Sequence, residues 1–268
     1  MQPERFVTCG LVLRETVTRD ADKILTVLTP DRGRLSVIAR GARRKGSRVA
    51  AACQLLAYSE MTLYEKGRWT MLDAADTIEL FDGLRQDLTA LSLAAYFAEL
   101  TEAVSDGSGG DAPPPPPPAA GGGDVLPLLL NALYALSALK KPPQLVKPAF
   151  QFRLMALAGY EPMADGCALC GAPEPENPML DVVHGVVHCG KCREKGGLSL
   201  PLTASGLAAL RYVLYGDPRR LYSFSLPPEG LRALNHAADA YVTAQLERSF
   251  RTLDYYKTIL PQEETKYE

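Results

Sequence analysis

Four of the six cysteines stand in two pairs, Cys167 with Cys170 and Cys189 with Cys192. The segment reads CALCGAPEPENPMLDVVHGVVHCGKC, the pattern C-x2-C-x18-C-x2-C. Two-residue spacing lets both thiolates of a pair reach one metal while the amides of the turn face the sulfurs. Two such pairs close a tetrahedral site, and zinc is the default metal for four thiolates. The expected cofactor is one structural Zn2+ on Cys167, Cys170, Cys189 and Cys192. Four protein ligands leave no position for water, whereas a catalytic zinc keeps one open. The competing readings are a disulfide pair or free thiols. His184 and His188, between the pairs, are read as ordinary strand or turn residues rather than replacement ligands. Lys191, Arg193 and Lys195 flank the second pair, either as a rim offsetting a negative tetrathiolate or as DNA contacts.

A second cluster is electrostatic. The stretch ARGARRKGSR carries Arg40, Arg43, Arg44, Lys45 and Arg48 and no acidic residue. The 268-residue chain has net charge -2, yet residues 1–48 sum to +6 and the remainder to -8. Such asymmetry favours a polyanionic partner. The bland reading is a solvated loop, the usual fate of a charge run. A membrane-surface patch would need an apolar face, which the stretch lacks. Phosphate binding fits best: Gly41 and Gly46 allow close backbone approach, and Lys23, Arg32 and Arg34 extend the basic surface. Phe6, Tyr58, Tyr64 and Trp69 are aromatic faces on which bases could stack, though each is individually a better core candidate.

Catalysis finds no residue set. There is no phosphate-binding G-x-x-x-x-G-K-[ST], no G-x-S-x-G, no H-E-x-x-H and no acidic cluster suited to two-metal work. The expectation is a protein that is not an enzyme. No apolar run reaches the roughly 20 residues that span a bilayer, and the first residues lack a secretory apolar stretch, so a cytoplasmic location and no membrane partner are expected. Paired C-x-x-C in such a chain points to metal or redox chemistry rather than a disulfide framework.

The elements that must position these groups follow from periodicity. Residues 5–16, 22–29, 34–41, 57–66 and 68–80 alternate as strands, with Val7, Cys9, Leu11 and Leu13 taken as one face of the first. The turn TPDRG joins the second to the third, and Gly67 joins the last two. Five short strands with one longer connection predict a small OB-type barrel, and the basic stretch fills that connection. From Leu84 the pattern turns helical, with a stripe at Leu84, Leu88, Leu91, Ala95 and Leu100. A Gly/Pro-rich run at 106–124 reads as an exposed spacer rather than a polyproline ligand. Helices resume over 125–139 and 145–160, the latter closed by Gly159. Beyond the cysteine element at about 163–200, Thr203 and Gly216 cap another helix, and one long helix is expected from Pro227 to Ile259. The fold class is therefore α+β and multidomain: an OB-fold barrel over 1–80, then a helical domain over 81–268 with an inserted four-cysteine zinc element.

The order of these pieces resembles the RecO family of DNA repair proteins. GLVLRETVTRDADKILTVLTPDRGRLSVIARGARRKGSR is similar to the family's opening barrel segment. LRQDLTALSLAAYFAELTEAV and FQFRLMALAGYEP look like its helices, CALCG…CGKC like its zinc element, and RSFRTLDYY like its closing helix. The proline run at 113–118 departs from that pattern. The resemblance implies a recombination mediator of the RecF pathway that binds single- and double-stranded DNA and anneals complementary strands. It further implies partnership with RecR, indirect action on RecA, and in some members a contact with the acidic C-terminal tail of SSB, all at the nucleoid. Arg211, Arg219, Arg220, Arg248 and Arg251 are candidates for that last contact by charge alone. A zinc-ribbon protein-interaction or transcription-related adaptor is the alternative, and a zinc-dependent enzyme a more distant one.

Overall fold

The computed structural model describes residues 4–18, 21–105, 125–192 and 197–260. The spacer read at 106–124 lies outside them, as do Arg193 and Lys195. The chain forms two compact units, Met1–Ala138 with Phe250–Glu268, and Leu139–Ser249.

The first unit opens with β1 (Arg5–Val17), β2 (Lys23–Thr29), β3 (Gly33–Ala39), β4 (Tyr58–Lys66) and β5 (Trp69–Glu79). They close into a barrel in the order β1-β2-β3-β5-β4, with β1 also paired to β4. Its neighbours are antiparallel except β3 and β5. The β2–β3 turn is held by Thr29, whose hydroxyl donates to the Gly33 carbonyl at 2.9 Å and accepts from the Arg32 N–H at 3.2 Å. Gly33 there has φ +60, a conformation that glycine adopts without strain. Val12, Leu25, Val27, Val37, Met61 and Leu63 fill the barrel.

Of the face shared by Val7, Cys9, Leu11 and Leu13, the last two are buried. Val7 is 59% exposed, and Phe6 and Val12 point inward instead. Phe6 and Val12 share one side of the strand in an unbroken alternation, and a register shift follows between Val12 and Arg14. Leu11, Val12 and Leu13 are all buried, so β1 packs on two sides.

Among the described residues the helices are α1 (Asp82–Arg85), α2 (Leu88–Val104), α3 (Val125–Ser137), α4 (Pro143–Leu157), α5 (Ala204–Tyr215), α6 (Pro228–Leu246) and α7 (Arg251–Ile259). Asp87 caps α2 by accepting from the Ala90 N–H at 3.1 Å, which separates it from α1. The core of α2 is Leu93, Tyr96, Phe97 and Leu100, whereas Leu88 of the expected stripe is 58% exposed. The expected long C-terminal helix is two. It breaks at Glu247, φ +50, and restarts after Phe250, which is buried with its ring edge-on to Tyr96 at 5.7 Å.

In the second unit α4, α5 and α6 pack beside a sheet of β6 (Pro178–Asp181), β7 (Val186–Cys189) and β8 (Ser199–Pro201), ordered β7-β6-β8. Thr203 caps α5 by accepting from the Gly206 N–H at 2.9 Å, and Gly216 ends it, as the sequence predicts. Buried Lys147 of α4 pairs with Asp239 of α6 at 2.5 Å, and Gln151 donates to the same carboxylate at 3.0 Å. No described helix is long and apolar enough to cross a membrane.

Candidate nucleic-acid surface and metal centre

The β3–β4 connection is a chain of turns with two chemical sides. Ala42, Val49 and Cys53 pack into the barrel core. Burial pushes the Cys53 thiol up to about 11, so it packs as a protonated apolar group. The polar side carries Arg40, Arg43, Arg44, Lys45 and Arg48, all exposed. Of these, Arg40, Arg44, Lys45 and Arg48 make no ion pair with a described residue. Backbone anchors fix the near end of the connection. The Gly41 N–H donates to Asp22 Oδ1 at 2.7 Å and the Arg43 N–H to the Ala21 carbonyl at 2.9 Å. The far end returns to β1, where the Leu56 N–H donates to the Val12 carbonyl at 2.9 Å. Gly41 has φ +65, and the Arg44 stem folds over it so closely that an added Cβ would meet Arg44 Cδ at 3.3 Å.

The other three expected contact residues have intramolecular partners. Lys23 pairs with Glu15 and donates to the Cys53 carbonyl at 3.0 Å, leaving its side chain 13% exposed. Arg34 lies 3.7 Å from Glu102 of α2, and Arg14 approaches the same carboxylate at 2.8 Å. The Arg32 guanidinium stacks over Phe6, 3.8 Å from the ring centre. Tyr58 and Tyr64 are half-buried. Trp69, at the β4–β5 turn, is exposed with the Arg68 guanidinium 4.8 Å above its ring.

In the second unit the four cysteines meet. The sulfurs of Cys167, Cys170, Cys189 and Cys192 all lie within 4.8 Å of one another, and Cys170 and Cys189 are 3.8 Å apart. Thiolates about 2.3 Å from a tetrahedral metal are about 3.8 Å from each other. The spacing therefore fits a metal ion held by four sulfurs. Cys170 and Cys189 each aim a backbone N–H at the Cys167 sulfur, at 3.5 and 3.3 Å. Burial opposes ionisation of Cys167, but these donors and that of Leu169 outweigh it and bring the thiol down to about 6. The hydrogen bond to Cys170, then burial, push Cys192 up to about 12, and burial raises Cys189. Four thiolates this close repel one another; a divalent cation removes that conflict.

Both histidines are occupied elsewhere. His188 is buried, with Nδ1 2.8 Å from the Cys189 carbonyl and Nε2 2.9 Å from the Ser199 hydroxyl. A carbonyl only accepts, so Nδ1 carries the proton. His184 pairs with Asp181 at 2.8 Å. Lys191 pairs with Glu176 at 3.2 Å across a fully wet rim. Arg211, named above by charge alone, turns onto the loop carrying the first cysteine pair. Arg219, Arg220, Arg248 and Arg251 are exposed.

Residues 1–81 match a family model described as Recombination protein O N terminal, and residues 123–254 one described as Recombination protein O C terminal. Similar curated proteins are named DNA repair protein RecO. That of Acetivibrio thermocellus is 30% identical over 94% of this chain and 96% of its own length. That of Symbiobacterium thermophilum is 29% identical over 93% and 96%. That of Heliobacterium modesticaldum is 32% identical over 93% and 88%.

Proposed function

The chain belongs to the recombination protein O family, and from that premise we propose that it is a DNA-binding recombination mediator that acts without catalysis. It binds single- and double-stranded DNA at the nucleoid, anneals complementary strands and, with RecR, assists RecA onto SSB-coated single strands. The acidic SSB tail is a further partner. One Zn2+ on Cys167, Cys170, Cys189 and Cys192 staples the second unit and supplies no chemistry of its own.

A single observation carries the DNA reading. Five cations, Arg40, Arg43, Arg44, Lys45 and Arg48, project from a connection whose apolar side is plugged into a closed barrel. Cations held on a rigid support neutralise phosphates and release counterions, so binding weakens steeply with salt. Arg32 and Arg34 extend the basic surface from the β2–β3 end of the barrel, Arg34 when a phosphate replaces Glu102, while Lys23 stays with Glu15 and the Cys53 carbonyl. Trp69 offers a stacking face. Annealing brings two polyanions together, and a shared basic surface lowers their repulsion with no bond broken. Phosphate contacts carry no base identity, so sequence preference is small.

The test is annealing of complementary oligonucleotides by the purified protein across a salt series without nucleotide. Salt-sensitive annealing supports the reading. Absence of both annealing and DNA binding at low salt overturns it and leaves a protein-interaction adaptor.

A further inference from the structure

Arg211 of α5 reaches across to the loop that carries the first cysteine pair. Its Nε donates to the Ala164 carbonyl at 2.7 Å, and Nη2 donates to the carbonyls of Asp165 at 3.1 Å and Pro173 at 2.6 Å. Nη1 reaches Glu174 Oε1 at 2.8 Å. Four of the five guanidinium N–H groups are thus spent on residues that flank Cys167 and Cys170 on both sides. The neck so closed is tight. The Cys167 N–H donates to the Ala172 carbonyl at 2.8 Å, and a Cβ on Gly166 would stand 2.8 Å from that same oxygen. The two arms of the loop are pressed together, and one side chain from a neighbouring helix locks them.

We infer that Arg211 is a positioning residue for the metal centre, holding the first cysteine pair in its ligating geometry before the ion arrives. The inference rests on the zinc reading above. A planar fork can serve carbonyls on both arms at once, whereas a lysine ammonium is a point charge on a flexible stem. Groups that orient metal ligands commonly carry ten- to a hundredfold of the affinity. Because Arg211 touches no cysteine sulfur, its effect passes through loop geometry alone.

The experiment is competition for Zn2+ between the reduced full-length protein and a chromophoric chelator. Arg211→Lys should weaken zinc affinity about ten- to a hundredfold. Asn235→Ala is the control. It removes bonds to the Gln144 and Leu231 carbonyls in the same unit, away from the cysteines, and should leave zinc affinity unchanged. Should Arg211→Lys fail to fold, Glu174→Gln removes one contact only and should give a smaller loss in the same direction. Unchanged affinity in the folded variants, or an equal loss in Asn235→Ala, overturns the inference. A wild-type protein that takes up no zinc overturns the zinc reading itself, and this inference with it.

Discussion

The Nζ of Lys23 donates to the carbonyl oxygen of Cys53 at 3.0 Å, tying the second barrel strand to the connection that carries the exposed cations. Lys23 also pairs with Glu15. Lys23→Met would leave the Cys53 carbonyl without this donor and Glu15 without its cation. A loss of about 1–3 kcal/mol in folding stability is expected. Urea denaturation should show the lower midpoint. The salt slope of DNA binding should stay unchanged, because this ammonium is already committed inside the protein. A flattened slope would show instead that Lys23 releases Glu15 for phosphate.

Arg44, Lys45 and Arg48 give the opposite expectation. They are exposed and make no ion pair with a described residue, so changing all three to Gln should leave the urea midpoint within about 0.5 kcal/mol. Each phosphate contact on a single strand contributes about 0.7 to the slope of log affinity against log salt. Losing three should flatten that slope by about 2. Fluorescence anisotropy of a labelled oligonucleotide across a sodium chloride series reads this directly, and an unchanged slope would remove these residues from the DNA surface.

The contrast shows where sequence reading stops. Charge is written in the residue type, so the five cations at 40–48 were legible, and so was the connection between strands that holds them. Partners are not: Glu102 reaches Arg34 from α2, and nothing local in either segment announces it. The cysteine quartet was legible because its ligand spacing is itself the signal, but the guanidinium of Arg211 arrives from α5 by tertiary packing. The barrel strands followed from alternation and turn chemistry, yet the inward face of β1 did not, since Leu11, Val12 and Leu13 are all buried and the strand packs on two sides. The break after Leu246 has no glycine or proline to mark it. Glu247 adopts φ +50, and buried Phe250 takes up the contact with Tyr96. Along α2, apolar residues occur on nearly every side, so the period alone could not choose Leu93, Tyr96 and Phe97 over Leu88 and Leu91.

Asp181 should set part of the acid sensitivity of the second unit. Burial opposes its ionisation, but the His184 ring at 2.8 Å and the N–H groups of Val183 at 3.0 Å and His184 at 3.1 Å hold its carboxyl below the ordinary range. A folded value below the unfolded one, about 3.9, stabilises fully above that pH. The contribution disappears as pH falls through the depressed folded value. Asp181→Asn should therefore lower stability at neutral pH by about 1–2 kcal/mol and lose less on acidification than wild type. Urea midpoints at neutral and acid pH, compared between the two proteins, check the sign. Parallel curves would mean that the carboxylate gains nothing from these donors.

Proton release on metal binding tests the cysteine centre most directly. Near neutral pH Cys167, at about 6, is mostly thiolate, whereas Cys192, at about 12, and the raised Cys189 hold their protons. A metal bound by all four sulfurs must displace the protons of Cys189 and Cys192, so uptake near pH 7 should release at least about two. Below about pH 6 Cys167 is protonated too and the count rises by one. Apparent affinity should accordingly climb with pH, more steeply on the acid side. Calorimetric titration of Zn2+ in buffers of different ionisation enthalpy gives the number directly. Chelation at neutral pH should also loosen β7 and the turn after it, where Cys189 and Cys192 lie, visible as faster amide exchange there. Release of fewer than about one proton would exclude a four-thiolate site, because the Cys189 and Cys192 protons cannot remain on sulfurs that ligate the ion.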